Sequence, residues 1–187
     1  EVAFNAGYSM NIPGGSNGGS AAFEAARFDA TDTYHILNYS LSGLKAFAND
    51  FQFRAAINGQ ITPDALVPGV QYGIGGFNSV RGFHERAVSN DAGYQGTVEA
   101  YSPDLGSGFH LPNVHTRLLA FYDYGAVSRN HALPGELQNE FISSTGFGIR
   151  INNKYFSVRA DFAQVLHPGD SETRYSNRAH VGIVFVY

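Results

Sequence analysis

Arg81 is the one charged side chain between the glycines of the stretch GIGGFNSVRG, residues 73–82. A guanidinium is planar, permanently charged and presents five donors in a fork that grips a carboxylate bidentately. The chemistry it offers is ion pairing, not proton transfer or nucleophilic attack. Gly73, Gly75, Gly76 and Gly82 surround it, and glycine lets a chain turn sharply and approach a wall closely. Gly75 and Gly76 are the expected hinges, and Phe77 and Phe83 are apolar enough to bury beside them.

Other chemistries lack their patterns. The histidines at 35, 84, 110, 115, 131, 167 and 180 show no metal spacing such as H-x-x-x-H. GIGGFN lacks the third glycine of a phosphate-binding turn and any following helix. No serine has the G-x-S-x-G setting of a nucleophile elbow. With no cysteine there is neither a disulfide framework nor a thiolate metal site. Neither a metal nor a cofactor is expected, and the chain does not read as an enzyme. A net charge of −4 argues against a nucleic-acid partner.

The elements that must position Arg81 follow a two-residue period. Phe156, Val158, Ala160 and Phe162 alternate with Ser157, Arg159 and Asp161. Leu118, Ala120, Tyr122 and Tyr124 alternate with Arg117, Leu119, Phe121 and Asp123. Tyr94, Val98 and Ala100 oppose Gln95, Thr97 and Glu99, and the same rhythm runs through residues 2–9, 36–43, 51–60, 145–151 and 178–187. This predicts about eight strands, each near the ~9–11 residues that cross a bilayer at a tilt. Short links near KAFAND and NNK, with a medium one at SPDLGSGFHLPN, alternate with long ones at 11–32, 62–90, 127–140 and 166–176. GGSNGGS, residues 14–20, has the composition of a mobile loop tip.

One strand face is apolar and aromatic. The other carries Arg54, Glu99, Asp123, Arg150, Arg159 and Asp161, which a sandwich core does not tolerate unpaired. Charged residues are only 15% of the chain, against ~25% in an average soluble domain. The expected fold is therefore all-β, an antiparallel transmembrane β-barrel with a polar lumen and long loops at one end. A loop as long as 62–90 does not fit inside an eight-stranded barrel. That, with the start at Glu1 rather than Met, suggests half of a larger one.

At this point the residues resemble a known family. Val80, Arg81, Gly82 and Phe83 look like the V-R-G-F/Y loop signature of the outer-membrane superfamily of two-partner secretion transporters (TpsB type) and barrel-assembly insertases. Asp91, Gly93 and the inward Glu99 are similar to the TpsB pattern, as are Phe121, Asp123 and Gly125 to its F-x-D-x-G strand. INGQIT, before the loop, resembles the same family. The likeness runs over roughly residues 33–187. Two positions depart from it: Glu99-Ala100-Tyr101 stands where Glu-Leu-Arg is frequent, and the chain ends in Tyr187 where many barrels end in Phe.

The resemblance implies a barrel of about 16 strands, of which residues 1–187 form the C-terminal half, the first half and the POTRA domains being absent here. It also implies that the loop at 62–90 folds into the lumen and that Arg81 pairs with Asp123. Physics adds Glu99: Asp123 and Glu99 face the same side on consecutive strands, and a guanidinium between them relieves their repulsion. Phe185 and Tyr187 are the expected C-terminal assembly signal. The implied function is an outer-membrane pore of a Gram-negative bacterium that exports a large partner exoprotein. Its other partners are the lipid bilayer and the barrel-assembly machinery. The alternatives are an insertase of the same superfamily, or the anchor and translocator of an upstream enzyme domain.

Overall fold

The computed structural model describes residues 1–15, 18–106 and 113–186. His110 and Tyr187, and with Tyr187 the last residue of the expected assembly signal, lie outside the described residues. Eight long strands form one antiparallel sheet: β1 (Val2–Met10), β2 (His35–Ala46), β3 (Gln52–Ile61), β6 (Ala92–Tyr101), β7 (His115–Ser128), β8 (Asn139–Asn152), β9 (Phe156–His167) and β10 (Asn177–Phe185). They lie side by side in chain order, with β4 (Tyr72–Ile74) and β5 (Val88–Asn90) paired separately as a small hairpin. Among the described residues β1 pairs only with β2 and β10 only with β9, so the sheet is open.

Alternation sets the two faces. Along β7 residues 119, 121, 123, 125 and 127 are buried, while Leu118, Ala120 and Tyr122 are exposed. Phe4, Leu41, Phe53, Val98, Phe147, Phe162 and Val181 continue the exposed apolar surface on other strands. A band of large apolar groups on every strand, turned away from the protein's own core, is the lipid-facing surface of a membrane barrel. Among the described residues no helix is long and apolar enough to cross a membrane.

The links differ at the two ends. Asn153 closes the short β8–β9 turn: its Oδ1 accepts the N–H groups of Tyr155 (2.7 Å) and Phe156 (2.8 Å). The side chain thereby replaces the partners a tight turn denies its backbone. Asp50, at positive φ, closes the β2–β3 turn. The long links are at the other end, and the first is not all loop. Residues 11–32, read from composition as irregular, contain α1 (Ser20–Ala26). Its run SAAFEAA is rich in strong helix formers.

The principal core lies between the long β3–β6 loop and the sheet. Ile74, Val80, Phe83 and Val88 of the loop pack on Val127, Ile142 and Val165 of β7, β8 and β9. A loop that buries that much apolar surface has a defined seat. The β8–β9 register shifts between Ser143 and Ser144, where β9 carries one extra residue, Leu166. That bulge ends the regular ladder at the rim of the seat.

Candidate functional site

The loop brings Arg81 down onto the polar face of β6, β7 and β9. Its Nε donates to Asp123 Oδ2 at 2.8 Å and its Nη2 to Asp123 Oδ1 at 2.8 Å, a bidentate pair. Its Nη1 donates to Glu99 Oε1 at 2.9 Å and lies 3.5 Å from Asp161 Oδ1. Even its backbone N–H points at Asp123, 3.1 Å from Oδ2. Thr97 accepts from Nη2 at 3.1 Å and donates to Asp123 at 2.6 Å. Arg81 is 2% exposed and Asp123 fully buried. All its donors are directed at acceptors, which is what makes burying a permanent charge tolerable.

The spacing of Phe121, Asp123 and Gly125 has a direct reading. All three face inward on β7, two residues apart. The Phe121 ring lies under the guanidinium, its centroid 3.4 Å from Cζ, and so adds a cation–π contact from below. Asp123 supplies the bidentate acceptor. A side chain at 125 would put its Cβ 3.0 Å from Val80 and 3.1 Å from Ile74, so glycine leaves the room the loop occupies. Gly75, Gly76 and Gly82 all adopt positive φ, between 95° and 110°, where other residues are strained. Phe83 is buried and Phe77 partly so.

The surrounding charges form a shell in which three carboxylates are shared among four guanidinium groups. Glu99 also receives Arg54 (2.9 Å) and the Tyr101 hydroxyl (2.8 Å). Tyr101 thus contacts Glu99 in a strand where Glu-Leu-Arg was the comparison. Asp161, read from the sequence only as a wall charge, takes Arg150 (2.8 Å) and Arg159 (2.7 Å) besides its approach to Arg81. Beside this shell is a polar cavity of about 340 Å³ lined by Arg54, Asn58, Asn78, Gln95, Arg159 and others.

A second buried ion pair was not anticipated. Asp91, fully buried at the foot of the loop, accepts the N–H groups of Leu66 (2.8 Å) and Asn130 (2.7 Å). Arg27, just beyond α1, grips both oxygens of Asp91 and donates to the carbonyls of Leu66 and Asn130, each at 2.8 Å. Asn130 in turn donates to the carbonyls of Thr62 and Asp64. The links β1–β2, β3–β6 and β7–β8 meet at this one carboxylate. Gln60, buried at the end of β3, donates to the carbonyls of Val70 and Asp91 and fixes the start of the loop. At Gly93 a Cβ would meet Ala126 O at 2.7 Å. Phe185 is exposed near the end of β10.

An open antiparallel sheet with an apolar outer band, and a long loop ion-paired to its polar face, defines the class: part of an outer-membrane β-barrel. The family described as haemolysin secretion/activation protein ShlB/FhaC/HecB matches residues 3–151, and the chain belongs to it. That is a family of secretion transporters rather than of enzymes. Among solved structures, CdiB from Acinetobacter baumannii superposes with a TM-score of 0.60 at 23% identity, over 82% of this chain and 27% of that one. This likeness supports the fold, and the chain spans little more than a quarter of that protein. No curated protein matches the chain.

Proposed function

We propose that this chain is the C-terminal half of a barrel of about 16 strands that exports a large partner exoprotein across the outer membrane of a Gram-negative bacterium. POTRA domains and the first half of the barrel complete it upstream, and its other partners are the lipid bilayer and the assembly machinery that inserts it. The loop at 62–90 is the gate: seated in the lumen it fills the pore, and displaced it leaves a path for an extended polypeptide. No cofactor takes part. The family match supports secretion over barrel insertion.

The observation that carries this reading is the burial of Arg81 between Asp123 and Glu99, on a loop whose apolar side chains pack on the same wall. Removing one partner of a buried pair costs ~3–5 kcal/mol. The intact pair fixes where the loop sits at rest and still yields to the binding energy of a long substrate chain. Arg81→Ala in the full-length protein is expected to assemble in the membrane, conduct ions more often than wild type in planar bilayers, and secrete its partner poorly. Wild-type conductance together with wild-type secretion would remove the clasp from the mechanism.

A further inference from the structure

The Arg81 shell accounts for how the loop meets β6 and β7 but not for how it meets β10. There the loop has a separate seat. The ring of Phe77 lies between two side chains, with Arg159 Cζ 4.1 Å from its centroid and the His180 ring tilted against it at 5.9 Å. Gly182 makes the floor: a Cβ there would stand 3.0 Å from Phe77 Cζ. Arg159 also donates to Phe77 O at 2.8 Å.

Five residues further along the loop, β10 grips Gly82 by both its backbone groups. The Gly82 N–H donates to His180 Nε2 at 3.1 Å, and Arg178 Nε donates to Gly82 O at 3.3 Å. We propose that β10 carries a second anchorage for the loop, a socket for Phe77 and a clamp on Gly82, and that protonation of His180 releases it. The inference rests on the loop being the gate.

Acceptance of the Gly82 N–H requires Nε2 to be unprotonated, so the neutral ring carries its proton on Nδ1. A second proton turns Nε2 into a donor facing a donor, and the contact becomes repulsive. The charged groups around His180 do not compensate. Arg178 on β10, which pairs with Glu172 at 3.0 Å and touches the loop's His84 at 2.8 Å, and Arg159 on β9 are cations. Asp161, its cross-strand neighbour, already serves Arg150 and Arg159 and faces Arg81. Glu85, on the loop, accepts the Phe77 N–H at 2.7 Å. A charged His180 therefore has neighbours of its own sign and carboxylates already engaged. Imidazole is the side chain whose ordinary charge change falls between about pH 5 and 8.

The test is single-channel recording of the full-length protein in planar bilayers at about pH 7.5 and about pH 5.5. Wild type is expected to gain open time about two- to tenfold on acidification, the population change that loss of one buried hydrogen bond produces. His180→Gln keeps an uncharged acceptor for the Gly82 N–H and should lose that response. Gly182→Val fills the socket and should open the pore at both pH values.

A wild type indifferent to pH, a fully responsive His180→Gln, or a Gly182→Val that gates as wild type would each overturn the second anchorage. Arg81→Ala recorded beside them separates the two readings. If Arg81→Ala opens the pore while the β10 variants behave as wild type, the gate stands and the anchorage falls. If Arg81→Ala itself gates as wild type, the gate reading fails first.

Discussion

Arg81 and Arg27 each grip a fully buried aspartate with both oxygens engaged, yet the two centres are built from different parts. Asp123 belongs to the middle of a long strand, and the other acceptors around Arg81, Glu99, Thr97 and Asp161, also sit on strands. The ladder fixes them whether or not the loop is present, so the Arg81 centre joins a loop to the strand wall. Asp91 lies where a loop becomes a strand, and its donors Leu66, Asn130 and Arg27 all come from links. That centre joins links to one another. A wall-built pair can open and find its acceptors unchanged, whereas a loop-built pair has to re-form its acceptors as well as its donor.

The largest effect that tests this contrast is Asp123→Ala. It strands a guanidinium that is 2% exposed and should weaken loop docking by ~3–5 kcal/mol. Protease cleavage within residues 73–86 of the membrane-assembled protein should rise, while the strands remain protected. Asp91→Ala leaves the Leu66 and Asn130 N–H groups and Arg27 without their acceptor, a loss of ~2–4 kcal/mol. Its new cleavage sites are expected in residues 18–34, 62–70 and 129–138, with 73–86 still protected. Equal cleavage of 73–86 in both variants would merge the two centres into one.

Gly125→Ala is the intermediate case. A methyl group placed 3.0 Å from Val80 overpacks the seat by ~1–3 kcal/mol, which should raise cleavage of 73–86 less than Asp123→Ala does. The smallest effect is expected far from both centres, at the short-turn end. Asp104 accepts the N–H groups of Gly106 (2.9 Å) and Thr116 (2.8 Å) and pairs with His115 at 2.5 Å. These hold its carboxyl down to about 2, below its ordinary value of 3.8, the Gly106 N–H contributing most. A depressed carboxylate stabilises above its unfolded value and loses that contribution as pH falls through the folded one. The melting difference between wild type and Asp104→Asn should therefore be present at about pH 5, shrink as pH falls toward about 2 and vanish below it. A difference that stays constant over that range would assign it to packing.

The wall was more legible in the sequence than what leans on it. Leu118, Ala120 and Tyr122 declare the outer face of β7 because a half-buried strand repeats every two residues, and the structure exposes all three. β4 and β5 have three residues each, too few to display a period. The extra residue Leu166 interrupts the alternation, so the phase of β9 cannot be carried beyond Val165. Arg27 hides in a stretch whose glycines and serines speak for a loop, although SAAFEAA just before it carries the helix signal. Asp161 was readable as a polar-face charge, but its approach to Arg81 depends on a loop nearly eighty residues earlier in the chain. Alternation along one strand has no term for that.

The loop has one further consequence, and it is mechanical. It is fastened to β3 through Tyr72 and Asn58, to β6 and β7 through Arg81, and to β10 through Gly82. A twisted ribbon of strands bends easily about its length, and a tie between distant points on one face stiffens it as a string stiffens a bow. The seated loop is thus placed as a tension member across one face of the wall, its length setting how far the wall can flatten while those ties hold.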